Sequence, residues 1–170
     1  MRAFFRLALG GALLLGGGCG GYKLGPASSQ LAGATSVQIQ PVRNRTLEPH
    51  LSDSLTTALR FRFQRDGTYK LATQDDGDLV MTGEIIRYER IALSYQPTDI
   101  LTPLDMRLEM TAHIKVVERA SGKVVLDRDV SGYTLIRVGS DVTSAERQAM
   151  PLLTGDVANN VSRLLDSKAW

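Results

Sequence analysis

The chain has 170 residues, 43% hydrophobic and 22% charged, with 20 Lys and Arg against 18 Asp and Glu and a single cysteine. That length suits one domain with a sizeable core, and a lone cysteine excludes an internal disulfide, so packing alone must hold the fold. The two excess cations, Arg2 and Arg6, both lie in the first six residues. Without them the body is formally neutral, which argues against a nucleic-acid-binding surface.

Arg2 and Arg6 open a positive region, residues 7–15 form an apolar run, and Gly16, Gly17 and Gly18 lead directly to Cys19. The order reads as an export signal over residues 1–18, with Cys19 as the lipidated first residue of the mature chain. Two other readings stay open: an ordinary secretory signal cleaved nearby, or an uncleaved anchor. The run is shorter than the roughly 18 to 20 residues of a spanning helix, and glycines interrupt it. Residues 19–33, rich in Gly and Ser, read as a tether, and residues 34–170 as a single domain.

Along that domain, Val37 and Ile39 alternate with Gln38 and Gln40 in a first strand over residues 36–42. Leu47, Leu51, Leu55, Leu59 and Phe63 fall four apart, the spacing of a helix stripe, with Thr46 as its cap and Asp66-Gly67 as its end. Residues 69–72 suggest a short strand, and Asp75-Asp76-Gly77-Asp78 a solvated turn. Residues 79–95 read as a long strand whose alternation slips at Ile85-Ile86, the mark of a bulge. The two-proline stretch 96–104 reads as a loop. Residues 105–118 then alternate cleanly, with Met106, Leu108, Met110, Ala112, Ile114 and Val116 on one face. A turn at residues 120–123 leads into a partner strand over 124–136. Residues 140–168 close the chain as a helix with a capping box at Thr143 and Glu146 and a stripe of Leu153, Val157, Val161, Leu164 and Leu165. The order β-α-β-β-β-α predicts an α+β two-layer sandwich: a mostly antiparallel four-stranded sheet with two helices on one face.

The chemistry this inventory supports is binding. His50 and His113 are the only histidines, so one chain cannot assemble a Cys/His zinc site, and neither a nucleophile elbow nor a phosphate loop is present. No catalytic constellation, metal site or cofactor motif stands out. His113 is expected on the wet face of its strand. Arg87, Arg90, Lys123 and Arg137 fall near strand ends, where guanidinium forks can gather on phosphate. The same residues also suit a scattered solvated rim balanced by Glu89, Asp127 and Asp129.

Cys19 followed by GGYKLG, then SVQIQPVRNRT, HLSDSLTTALRFRFQRDG, GDLVMTGEIIRYER and DMRLEMTAHIKVVERASGKVVLDRDVSGY, resembles the lipopolysaccharide-assembly lipoprotein family LptE across nearly the whole mature chain. The resemblance implies a non-enzymatic outer-membrane lipoprotein, lipid-anchored at Cys19 on the periplasmic side. Such a protein plugs the LptD-like export β-barrel, aids its assembly and binds lipopolysaccharide. It implies no cofactor and no nucleic acid; the candidate lipopolysaccharide contacts, Arg87, Arg90, Lys123 and Arg137, are chosen for charge and position near strand ends and not by motif match. The alternative is a periplasmic auxiliary lipoprotein of an ABC-type lipid-trafficking system, which shares a lipid tether and a small α/β domain.

Overall fold

The computed structural model describes residues 35–139 and 141–167. Cys19, the signal and the tether lie outside the described residues. Six strands form one sheet: β1 (Ser36–Ile39), β2 (Arg43–Asn44), β3 (Lys70–Ala72), β4 (Leu79–Gln96), β5 (Asp99–Glu118) and β6 (Val124–Arg137). Two helices accompany them, α1 (Leu51–Asp66) and α2 (Val142–Asp166). The sheet order is β3-β1-β4-β5-β6, with β2 also on β4.

The α+β class and the two helices agree with the sequence, but the sheet is mixed and six-stranded. β1 runs parallel to both β3 and β4, β2 runs parallel to β4, and only β4-β5 and β5-β6 are antiparallel. The reason is the α1 crossover: a helix between β1 and β3 returns the chain in the same direction, so neighbouring strands pair in parallel.

Strand alternation sets the two layers. Met106, Leu108, Met110, Ala112, Ile114 and Val116 of β5 are buried, as are Leu79, Met81 and Ile85 of β4 and Leu126, Val130 and Ile136 of β6. The slip at Ile85-Ile86 is a real bulge, where the β4-β5 register shifts between Ile85 and Arg87. Beyond it, Tyr88, Arg90 and Ala92 take the places opposite Met110, Leu108 and Met106. One extra residue therefore exchanges the faces of the side chains from Arg87 to Ala92, where the next register shift falls.

Leu51, Leu55, Leu59 and Phe63 of α1 and Leu153, Val157, Val161 and Leu165 of α2 bury their stripes with these strands in one core. The helices run parallel. At their C-terminal ends the Ser162 hydroxyl donates to Asp66 at 2.6 Å, and at their N-terminal ends Glu48 and Glu146 both bind Arg90. Leu47, placed on the α1 stripe by its spacing, is instead fully exposed. The helix starts at Leu51 after a left-handed His50, and Thr46 belongs to the turn before it, where its N–H donates to Asn44. The α2 cap is Asp141, which accepts from the Thr143 and Ser144 amides at 3.0 and 3.1 Å, so Glu146 is released from the expected capping box.

Along β6, α2 also protects the sheet edge. Asn160 donates to the Ser131 carbonyl at 2.8 Å, and Asp156 accepts from the Tyr133 amide at 3.0 Å. A Cβ at Gly132 would stand 2.7 Å from the Val157 nitrogen, so only glycine admits this approach. The acidic turn before β4 is more than a solvated link. Asp78 accepts from the Ser36 amide at 2.8 Å and its hydroxyl at 2.7 Å, joining the starts of β1 and β4.

Two outcomes follow from this packing. Leu55→Ala or Ile114→Ala, each emptying a fully buried site, should cost about 2–5 kcal/mol in denaturant melts. The Ser36 bonds, the amide before the hydroxyl, hold the Asp78 carboxyl below its ordinary range. Its contribution is therefore present at neutral pH and lost as pH falls through the lowered value, because the unfolded state then binds the extra proton. Asp78→Asn should lower stability at pH 7 and flatten this part of the acid limb of a stability-against-pH curve.

Candidate functional site

The four basic candidates do not form one patch. Arg87 pairs across from Thr111 on the sheet face away from the helices, whereas Arg90 pairs across from Leu108 on the helix face. Arg137 closes β6 opposite Asp105, with its Nε 3.9 Å from that carboxylate. Lys123 lies in the turn before Val124, which pairs with Val117, twelve positions along β5 from the Asp105-Arg137 pair. At strand rise, the two ends stand about 40 Å apart.

Arg90 is the most engaged of the four. Its Nε lies 2.6 Å from Glu146, its second nitrogen 2.8 Å from the same carboxylate and 2.6 Å from Glu48, and its guanidinium stacks 4.8 Å from the Tyr88 ring centre. The fork thus fastens the start of α2 and the turn before α1 to β4. Tyr88 Oη has no hydrogen-bond partner among the described residues, and burial, then the Glu146 charge, pushes its phenol up to about 12. Tyr88 remains neutral beneath the clasp at physiological pH.

The end of the sheet beyond this clasp is apolar and open. Residues 96–104, read as a loop from their two prolines, continue the strands: β4 reaches Gln96 and β5 begins at Asp99, leaving Pro97 and Thr98 as the turn. Pro103 occupies a strand position opposite Tyr95, a place an extended proline tolerates at a register irregularity. Ile100 and Leu101 at the tip are 79% and 86% exposed, and Ile91, Leu93, Tyr95, Tyr133 and Leu135 are exposed on the same arm or beside it. Arg107 lies 4.3 Å over the Tyr133 ring and pairs with Glu109 at 3.0 Å. The other half of the outer face is a charged ladder. His113, half-exposed as its strand position predicts, places Nδ1 2.7 Å from Asp129 and Nε2 3.0 Å from Asp127.

A second surface lies between α1 and α2, a groove of about 1340 Å³ lined by Ala58, Phe61, Met150, Pro151, Gly155 and Ala158 among others. Neither the groove nor the Glu48-Arg90-Glu146 clasp emerges from strand and helix periodicity. The legible signal was an acid in the first turns of α2, which the capping pattern absorbed. Among the described residues no group of three or more His, Cys, Asp or Glu is placed to hold a metal, and no helix is long and apolar enough to cross a membrane.

These features define a small α+β domain, with two parallel helices on one face of a mixed sheet and an apolar strand arm at one end. Solved structures share the fold at low identity. A lipoprotein candidate from Caulobacter crescentus aligns with a TM-score of 0.56 at 10% identity, over 84% of this chain and 97% of its own. The protein CT253 from Chlamydia trachomatis gives 0.55 at 12%, over 79% and 98%. A minor lipoprotein from Acinetobacter baumannii gives 0.52 at 13%, over 79% and 94%. No curated protein matches the sequence. The family model for LptE, lipopolysaccharide-assembly, matches residues 34–165, and the chain belongs to that family.

The clasp generates a direct expectation. Arg90→Met leaves Glu146, a largely buried carboxylate, without its fork, and should cost about 1–3 kcal/mol in chemical denaturation. Adding Glu146→Gln should recover part of that loss, since the stranded charge is then gone.

Proposed function

We propose that this protein is a non-enzymatic outer-membrane lipoprotein, anchored through lipid on Cys19 after removal of residues 1–18. It plugs an LptD-like lipopolysaccharide-export β-barrel from the periplasmic side, aiding assembly of the barrel and delivery of the glycolipid. The observation that carries the reading is the apolar arm on a member of this family: Ile100, Leu101, Tyr95 and Leu93 stand in water. Exposed apolar patches of this kind mark interaction sites. The ribbon beyond the Asp105-Arg137 pair has only two strands, an arrangement that is marginal in water by itself and gains from a surrounding wall. Two lipid chains or more on Cys19 give stable anchoring, because each buried CH₂ contributes about 0.8 kcal/mol.

Lipopolysaccharide phosphates are assigned to the basic set Arg87, Arg90, Lys123 and Arg137. Arg87 and Arg137 are the more available near the apolar end, since Arg90 is held by two carboxylates and Lys123 lies at the other end of the sheet.

Co-purification from detergent-solubilised outer membrane tests the partnership. The wild-type protein should bring down a large β-barrel, and Ile100→Asp with Leu101→Asp should abolish this while leaving the melting curve unchanged. Recovery of an inner-membrane transporter in place of a barrel would overturn the plug reading. Cys19→Ser should move the protein to the soluble periplasmic fraction or leave an uncleaved precursor, read by intact mass.

A further inference from the structure

The groove between α1 and α2 has three features that packing within this chain does not require. Gly155 stands inside α2, where glycine is less favourable than alanine. Its backbone has no positive φ, and a Cβ there would meet nothing within 4 Å. Phe61 is 58% exposed beside the groove, although the opposite stripe of α1 is fully buried. At the two ends of the rim stand Arg147, early in α2, and Arg65, in the last turn of α1. Among the described residues neither has an ion-pair partner, and Arg65 instead stacks 5.1 Å from the Phe61 ring centre. Glu48 and Glu146, also on the rim, share the single positive charge of Arg90. The lining acids Glu48, Asp53 and Glu146 balance the lining arginines Arg62, Arg65 and Arg147, and of these cations Arg65 and Arg147 are the two outside ion pairs among the described residues.

The chemistry of this surface selects its occupant. Helix backbones satisfy their own hydrogen bonds, so the walls present few unpaired donors or acceptors to an added peptide strand. The groove, open at Gly155, follows α1 for about 16 Å from Ser54 to Arg65, and Ala58, Phe61, Met150, Pro151 and Ala158 supply its apolar lining. A straight floor with a cation at either end suits a hydrocarbon chain joined to an anionic head. We propose that this groove seats an acyl chain of lipopolysaccharide, with Arg65 or Arg147 on a phosphate of its headgroup. The proposal rests on the reading of this protein as a lipopolysaccharide binder and adds to it a site remote from Arg87 and Lys123.

The test measures binding of the mature protein carrying Cys19→Ser, purified without detergent, to intact lipopolysaccharide, to fully deacylated lipopolysaccharide and to phosphatidylglycerol vesicles. Gly155→Trp fills the floor at a position with open space, and a thermal melt verifies its fold. It should weaken intact lipopolysaccharide by about tenfold, the worth of roughly two buried methylenes. It should leave the deacylated form unchanged, and Gly155→Ala should bind as wild type does. Arg65→Gln with Arg147→Gln should weaken both forms and reduce the salt dependence of binding.

Equal affinity of wild type and Gly155→Trp for intact lipopolysaccharide overturns the groove while the lipopolysaccharide reading stands. So does barrel co-purification lost at Gly155→Trp with lipopolysaccharide affinity kept, which assigns the groove to a protein partner. Phosphatidylglycerol bound as tightly, and lost equally at Gly155→Trp, overturns the choice of lipid. Wild type that fails to bind intact lipopolysaccharide removes the underlying reading itself.

Discussion

A sheet with both helices on one face has one dry side and one that must meet water or a partner, and this asymmetry governs the molecule. The dry side is complete: α1 lies over β1, β2 and β3 and α2 over β5 and β6, and their stripes join the inward strand residues in one cluster. Burying each large side chain there contributes about 1.5–3 kcal/mol. The other side divides in two. Near β1 and β2 it is a ladder of charge, with Glu84 between Arg45 and the row of His113 and Asp129. Toward the far end it becomes Ile91, Leu93, Tyr133 and Leu135. Four large apolar groups exposed together on one half of a sheet face are the surface expected of an interaction site, and the charged half is the surface expected to meet water.

The bulge at Ile85-Ile86 is where that division begins. Before it, odd-numbered residues of β4 face the helices; after it, even-numbered residues do, and Arg90 is turned inward where a core residue would otherwise stand. A guanidinium on the helix face needs acids, and Glu146 and Glu48 supply them from two elements that nothing else fastens to this part of β4 so directly. The clasp therefore does two jobs with one set of charges. It closes the N-terminal ends of the helices onto the sheet, and it offsets one of the two carboxylate charges at that end of the groove. Ser162, Arg62 and Asp66 close the other end. A groove bounded by fastened helix ends keeps its shape without a ligand, which lowers the ordering cost of binding one.

How much of this was legible in the sequence follows from the range of each interaction. The β5 alternation, the α1 and α2 stripes, the hairpin into β6 and the bulge all come from periodicities of two and 3.6 over short windows, and the structure contains each of them. Alternation within β1 carries no strand direction, and its parallel pairing follows only from the crossover that the intervening helix makes. The two prolines of residues 96–104 suggest a loop, yet Pro103 lies at a register irregularity within the strands and Pro97 in the turn itself. Leu47 fits the α1 spacing yet is exposed, since spacing carries no information about where a turn such as that at His50 interrupts the backbone. The clasp was beyond any local rule. Arg90, Glu48 and Glu146 are 42 and 56 positions apart, and only the fold brings them together.

Arg90 shows why charge and strand position alone are weak guides to a ligand contact. A cation near a strand end is free to bind a phosphate only if the fold leaves it unpaired, and displacing two carboxylates from a bidentate fork must be offset by whatever replaces them. Arg137, 75% exposed with a single distant acid, faces no such competition. Arg65 and Arg147 also stand outside ion pairs among the described residues, and strand-end position carries no signal for them because both sit on helices. The surfaces of this protein are thus separated by element: strands carry the apolar arm that suits a barrel wall, and helices carry the groove that suits a lipid chain. The clasp reaches the groove through Glu48 and Glu146, which line it, and reaches the sheet through Arg90 on β4. Arg90 is in this way a structural joint, which makes it the least available of the four basic residues to a phosphate.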